Sequence, residues 1–598
     1  MFKKLISLLS RSERKKVAVL AIIMLLVAFL DTLGVASIMP FIAVLAEPEL
    51  VNTNYFLSAT FDVVKHFGIE SVNQFMVVLG LGVFVLLIFS LAVKAMSVFL
   101  QTRFAAFGEY AIGKRLVEGY LHQPYSWFLT RHSSQLGRTV LSEVQRVIDY
   151  GLVPMMTIMA QGMIAVALLF LLFLVDPILA LSVGSVLGVA YGGVFNLMSG
   201  WLKRLGKERN KANQGRFKVM AEAFASIKEV KVIGVERAYT RKFGEYAENY
   251  AESQSASQVI AQLPRFVFEA MAFGGLLIVA LYLMLKRGGG IEDALPVIAL
   301  YALAGYRLMP ALQQIYVAFT RLRVASPIID DLYVDIQGLP EMAIMSNAPT
   351  SLPFSQSIKL NKVSYSYPNS KKLALNNIDI VIRANTTVGI VGSTGSGKTT
   401  AIDVVLGLLE PQHGSLEVDG TPITEVNRRR WQSMIGYVPQ DISIVDDSVA
   451  ANIALGVSAE HIDRSALEYA AKMANLHEFV QHSLPYGYDT TVGERGIQLS
   501  GGQRQRIGIA RALYHKPRLL IMDEATSALD NVTEKIVMDA VGKLNQNITI
   551  IIVAHRLSTV RNCDKICFFE SGNLIAYGNY DGLLSDNEKF ARMVSPEH

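Results

Sequence analysis

The apolar residues of this chain gather before Pro327, in runs long enough to cross a bilayer. Predominantly apolar stretches are read at about 17–45, 75–102, 148–174, 178–201, 266–286 and 294–319. Each meets the ~20 residues that a helix needs to span a hydrocarbon layer of roughly 30 Å. After Pro327 the composition turns ordinary and mixed. A chain of 598 residues exceeds one ordinary core, so two or more domains are expected. The shift predicts an α-helical membrane half, residues 1–325, then a connector over 326–354 and a soluble half over 355–598.

The polar flanks orient the spans. Lys3, Lys4, Arg11, Arg14, Lys15 and Lys16 precede the first apolar run. A cleavable signal peptide would start the same way, but apolar character resumes after Asp31 and continues to about Leu45, past a signal's short apolar core. The connections at 46–74, 175–177 and 287–293 are short or poor in basic residues, whereas 103–147 and 202–265 are long and rich in Lys and Arg. Positive-inside bias therefore places both long loops and both termini in the cytoplasm. Helical spacing persists in the long loops (Phe217, Met220, Ala221, Phe224, Ile227), which predicts helical extensions of the spans. Within 46–74, Phe56, Leu57, Phe61, Val64 and Phe67 approximate a helical stripe. It reads either as a short helix on the outer membrane surface or as a packed loop.

The net charge of +5 belongs to cytoplasmic membrane flanks, and no basic stripe interleaved with aromatics points to nucleic acid. Cys563 and Cys567 read as reduced cytosolic thiols and not as a metal site. Asp31, Glu269 and Arg307 are ionisable residues inside the spans. An unpaired charge near the bilayer centre costs roughly 3 kcal/mol or more, so such residues face a partner or a cavity. Arg307, just before the kink expected at Pro310, reads either as the partner of Asp31 or Glu269, or as a contact for an anionic headgroup.

The soluble half begins after Pro340, Pro349 and Pro353 and has an α/β pattern. Strand-like 358–366 and 376–383 lead into a glycine-rich loop, Gly392, Ser393, Thr394, Gly395, Ser396, Gly397, Lys398, Thr399, Thr400, which opens a helix to about Leu409. Glycines at 392, 395 and 397 let backbone N–H groups turn inward around phosphate oxygens. The helix N-terminus faces the same charge. In this pattern Lys398 reaches the β- and γ-phosphates of ATP and the Thr399 hydroxyl binds Mg²⁺. Short strands follow at Leu416–Val418 and Met434–Pro439, the latter ending in Gln440, and then a helical region at 447–482. Leu499–Gln503 opens a helix through Ala512, and Leu519–Met522 is an apolar strand ending in Asp523 and Glu524. Strand ends are where ligands bind in parallel sheets. Asp523 there suits Mg²⁺, Glu524 suits a general base for the attacking water, and Gln440 suits both metal and water. His555, after the apolar strand Thr549–Val553, would contact the γ-phosphate.

Taken together, residues 355–598 resemble the nucleotide-binding domain of ATP-binding-cassette (ABC) transporters, and Leu499–Gln503 matches the family signature in full. The resemblance implies that Tyr367 stacks on adenine and that Ser500, Gly501, Gly502 and Gln503 cap the ATP of a second subunit. Ser527-Ala528-Leu529-Asp530 completes the set. Thr491–Gly496 is similar to the exporter coupling segment, and 123–147 and 219–243 to the two cytoplasmic coupling loops. One cassette per chain, after six spans, resembles a type I exporter half-transporter. That implies a homodimer or heterodimer with ATP between the cassettes. Thr32–Phe41, Tyr306–Pro310, Pro264, Arg265 and Glu269 look like the bacterial flippases for lipid-linked oligosaccharides. Those imply an inner-membrane, multi-pass location and a polyprenyl-pyrophosphate glycan as cargo. Drugs, other lipids or peptides are the other expected cargoes, and an ATP-gated channel or regulator is the reading from a different class.

Overall fold

The computed structural model describes residues 1–66, 71–286, 291–339, 352, 354–368, 370, 372–493, 496, 499–525, 531–544, 548–554 and 557–594, apart from some helical side chains. Phe67, Pro340, Pro349, Pro353, Glu494, Arg495, the segment 526–530 with Asp530, and His555 lie outside the described residues. The chain divides into two compact units, one of residues 1–123 with 131–342, the other of 124–130 with 343–598.

The first unit is all helix. Ser10 and Glu13 form a capping box at the start of α1 (Arg11–Ala36), which breaks at Ser37 and resumes as Ile38–Ala46. α2 (Val72–Leu121) opens on a Ser71/Gln74 box. α3 covers Gln135–Val175 and contains two π-helical stretches, Thr139–Glu143 and Ile148–Leu152. Asp176 caps α4 (Pro177–Ala225), with proline at the first helical position where its missing N–H costs nothing. α5 (Glu236–Lys286) and α6 (Ile291–Gln337) complete the unit. Each expected span lies inside these helices, the first shared between α1 and its continuation. α1 to α4 are long and apolar enough to cross a membrane among the described residues.

The helices run far beyond the apolar layer. At 1.5 Å per residue the 50 residues of α2 extend ~75 Å, so the long basic connections are helical extensions, as their spacing predicts. α6 continues to Gln337, so the first part of the stretch expected as connector from 326 is helical. The composition change at Pro327 marks where that helix ceases to be apolar, not where it ends. In the 46–74 connection, Tyr55–Lys65 is a helix capped by Asn54. Leu57 and Phe61 are buried with Val44, Val51 and Phe75, while Phe56, expected on the same stripe, is 80% exposed.

The second unit carries two sheets. A four-stranded antiparallel sheet runs β2-β1-β4-β5, with β1 Ser357–Ser366, β2 Leu373–Arg383, β4 His413–Val418 and β5 Thr421–Pro422. A six-stranded sheet runs β10-β9-β3-β8-β7-β6. Its members are β3 Thr387–Gly392, β6 Ile435–Val438, β7 Leu519–Asp523, β8 Thr549–Val553, β9 Lys565–Glu570 and β10 Asn573–Gly578. Pairing is parallel from β9 through β6 and antiparallel only at the β10 edge. β7 and β8 are buried along their whole length. That explains their unbroken apolar runs, each buried side chain contributing ~1.5–3 kcal/mol. Parallel pairing puts the C-terminal ends of β3, β6, β7 and β8 on one edge, and the expected nucleotide residues follow those ends.

Candidate functional site

The glycine loop leaves β3 at Gly392. Gly392, Gly395 and Gly397 hold φ of 151°, 76° and 103°, values that L side chains rarely adopt. A Cβ on Gly397 would also lie 2.6 Å from the Ala374 carbonyl oxygen. The loop therefore needs glycine for conformation and for space. It delivers Lys398 at the N-terminus of the helix Lys398–Val405. The helix is shorter than expected, ending before Leu409, because Gly407 takes a left-handed φ of 65°.

Lys398 is buried, and its Nζ donates to the carbonyls of Gly392 (2.8 Å) and Ser393 (3.0 Å). Burial lowers its pKa, while Glu524 and Asp523 act in the opposite direction. The ammonium thus lies among acceptors that a phosphate group would replace. Ser396 Oγ is buried with no hydrogen-bond partner, an orphaned donor inside the same cradle. Thr399 is exposed. Tyr367 meets Thr400 through a 3.0 Å hydroxyl contact, which places the tyrosine beside the loop.

Asp523 ends β7 and is buried. Glu524 follows in a left-handed conformation with φ of 50°, held by its own N–H donating to the Val553 carbonyl at 3.0 Å. A left-handed non-glycine residue stores strain, and such strain collects at working sites. Gln440, past the end of β6, donates through Nε2 to Glu524 Oε2 at 2.8 Å. Gln505 lies beneath, its Nε2 3.4 Å from the Glu524 carbonyl. Ser500 caps the helix Gly501–Tyr514 in a reciprocal box with Gln503, and of the signature Leu499 is buried while Ser500 to Gln503 stay exposed or half-exposed at that N-terminus. The structure brings Gln440, Glu524, Asp523 and Lys398 together; His555 and Asp530 fall outside the described residues.

Two neighbours had been missed. Asp403 on the loop's own helix is buried, and burial together with Asp523 pushes its pKa up to about 6. Tyr437 in β6 has its hydroxyl pKa raised by burial, then by Asp523 and Asp403. A carboxylate on the apolar face of a helix was the available signal. Thr399, Asp523 and the Gln440 side-chain oxygen are hard oxygen donors with one carboxylate among them, a set that suits Mg²⁺ sharing phosphate oxygens and water.

In the membrane unit, Asp31 is buried and takes three polar partners. Arg307 Nη1 stands 3.2 Å from its Oδ1, Lys94 Nζ 3.7 Å from its Oδ2, and Ser90 Oγ 3.4 Å from its Oδ1. Of the two partners expected for Arg307, Asp31 is the one found. Glu269 pairs instead with Arg265, one turn earlier on α5, at 2.7 Å. Lys94 was not foreseen.

Comparison with known proteins settles the family. A model of the ABC transporter transmembrane region matches residues 37–307, and one of the ABC transporter ATP-binding domain matches 375–527. The chain is 32% identical over 482 residues to the ATP-dependent lipid A-core flippase of Saccharophagus degradans, covering 80% of each. It belongs to the ABC transporter family.

The chain is also 41% identical over 279 residues to multidrug resistance protein 3 of Entamoeba histolytica, covering 46% of this chain and 21% of that one. A bacterial Atm1-family ABC exporter with ATP bound shares the fold at a TM-score of 0.80 and 22% identity, covering 97% of each chain. This ABC chain is therefore a type I exporter half-transporter: a multi-pass membrane protein that uses ATP, whose hydrolysis is coupled to transport.

Proposed function

We propose that this exporter flips a lipid-linked oligosaccharide, a glycan on a polyprenyl pyrophosphate, from the cytoplasmic to the outer leaflet of a bacterial inner membrane. The observation that carries the reading is the cluster at Asp31, where one carboxylate meets two cations, Arg307 and Lys94. A charge inside the apolar layer needs a counter-charge. The unmatched positive charge is suited to an anionic headgroup. Relatives named lipid A-core flippases support a lipid cargo, and for the same reason another glycolipid is the second reading.

The working unit is a homodimer with both termini and the cassettes in the cytoplasm. Lys398, Ser396 and the backbone of 392–400 hold the phosphates of ATP, and Tyr367 stacks on the base. Thr399, Asp523 and Gln440 would hold Mg²⁺, which screens phosphate charge when bound. Glu524 takes a proton from the attacking water, oriented by Gln440, and His555 contacts the γ-phosphate. Ser500, Gly501, Gly502, Gln503 and Asp530 close over the nucleotide of the other copy.

The test is flipping in proteoliposomes of a fluorescent polyprenyl-pyrophosphate oligosaccharide by wild type and by Glu524→Gln. Flipping by wild type alone is the expected result. Active ATPase with no flipping would return the cargo to other lipids, drugs or peptides.

A further inference from the structure

The membrane unit contains a second cationic site, which joins Arg265 to residues that carry no sequence motif. A cavity of about 520 Å³ opens between α3, α5 and α6, lined by Tyr150, Gln258, Gln262, Arg265, Gln313 and Arg321 among others. No Asp or Glu is among the described residues that line it. Arg265 has its counter-ion in Glu269. The guanidinium of Arg321 lies 5.9 Å from the Tyr150 ring centre, and that of the buried Arg209 lies 4.9 Å from the same centre. Two cations, Arg209 and Arg321, thus meet one tyrosine, and Arg321 shares the cavity wall with Arg265. Arg209 Nε has no hydrogen-bond partner, as expected where positive groups outnumber acceptors. Asp149 is within electrostatic reach of Arg321.

Two further cavities follow in series, each sharing wall residues with the one before. A second cavity of about 410 Å³ shares Gln313, Val317 and Arg321 with the first. A third, of about 430 Å³, shares Val153, Thr157 and Gln314 with the second and reaches Lys94, with Glu109 and Asp149 also on its wall. Gln161 and Gln314 bridge there at 2.8 Å. Arg321 and Arg307 are fourteen positions apart on α6. That is ~21 Å and close to four whole turns, so both fall near one face of the helix. Between them the walls present glutamine amides, each with donors and an acceptor.

We propose that the cavity at Tyr150, Arg265 and Arg321 is the loading site for an anionic, hydroxyl-rich headgroup, ahead of the Asp31–Arg307 cluster. It rests on the cytoplasmic orientation and lipid cargo given above. The arginines match phosphate oxygens in fork geometry. The amides match sugar hydroxyls, which both donate and accept. A purely apolar molecule would leave these groups desolvated and unpaired, which disfavours it.

The test is equilibrium binding to the full-length, nucleotide-free protein in lipid nanodiscs. The probes are a fluorescent polyprenyl pyrophosphate carrying a disaccharide, the same lipid without sugar, and the free polyprenol. Arg321 and Gln262 are both exposed, so their variants are expected to keep the wild-type melting temperature. Arg321→Gln is expected to weaken both pyrophosphate probes about tenfold, the scale of one charge-assisted contact, and Arg321→Lys to keep most of the affinity. Gln262→Leu is expected to weaken only the sugar-bearing probe. Wild-type affinity in Arg321→Gln, or equal loss in Arg321→Lys, overturns the site. If wild type ignores all polyprenyl probes, the proposed cargo fails, and a phosphorylated glycolipid on acyl chains decides the site separately. Arg321-dependent binding of that probe supports the site; undiminished or absent binding overturns it.

Discussion

At the scale of residues, three side chains around the glycine loop have separable roles. Glu524 makes its side-chain contact with Gln440 and its strained backbone aims it past the end of β7. Glu524→Gln keeps the shape and removes the base. It is expected to bind ATP as wild type does while turnover falls by about 10²–10⁴, the usual scale for general-base loss. ATPase and nucleotide-binding assays on one preparation check this, and near-normal hydrolysis would refute the assignment. Lys398→Ala acts a step earlier and is expected to weaken nucleotide binding itself about tenfold or more, since it deletes a charge-assisted contact. Asp403 sets a pH dependence. Its folded pKa rises from 3.8 to about 6, so within that window the folded protein binds more protons than the unfolded chain. Stability therefore falls as pH rises through the window, and the cost persists at neutral pH, at most about 3 kcal/mol. Asp403→Asn is expected to raise the melting temperature at pH 7.5 without nucleotide or metal, and to change little near pH 4.

At the scale of elements, Asp31 ties α1 to α2 through Lys94 and to α6 through Arg307. Arg307→Ala leaves a buried carboxylate with the longer 3.7 Å lysine contact. Breaking a buried pair costs roughly 3–5 kcal/mol, whereas replacing both charges by neutral groups is often tolerated. Arg307→Ala is expected to melt well below wild type, and Arg307→Met combined with Asp31→Asn to recover much of the loss. Equal melting of wild type and Arg307→Ala would leave the pair without a structural role. These contacts also show what the sequence could carry. The long helices of the membrane unit were legible because they carry long apolar runs, and β7 and β8 because strands buried on both faces are apolar throughout. The loop and signature were legible because phosphate binding needs glycine at set positions. Lys94, Asp403 and Tyr150 were not, since their meaning comes from neighbours 63, 120 and 171 positions away: Asp31, Asp523 and Arg321. β9 and β10 went unread because an ordinary strand and edge hairpin at the end of a chain carry no motif.

At the scale of the whole molecule, the signature serine and the glycine loop belong to different elements of the cassette. Ser500 lies at the exposed N-terminus of Gly501–Tyr514 and Lys398 at the start of Lys398–Val405. In the proposed homodimer each ATP is held by Lys398 of one copy and closed by Ser500 of the other. Two defective chains can then complement each other. A dimer of one Lys398→Ala chain and one Ser500→Arg chain gathers both lesions into one ATP site and leaves the other site intact. If each site were built within a single chain, the same dimer would hold one lesion in each site. Differently tagged chains, purified as mixed dimers by two successive affinity steps, are expected to hydrolyse ATP well above either homodimeric variant. Their intact site is expected to bind nucleotide with wild-type affinity. Mixed dimers as inactive as both parents, with that wild-type affinity retained, would argue against nucleotide shared between subunits, or would require both sites for any turnover. Vanadate trapping separates these two outcomes: one trapped nucleotide per mixed dimer marks a shared site that is complete but cannot turn over alone, and none marks sites confined to single chains.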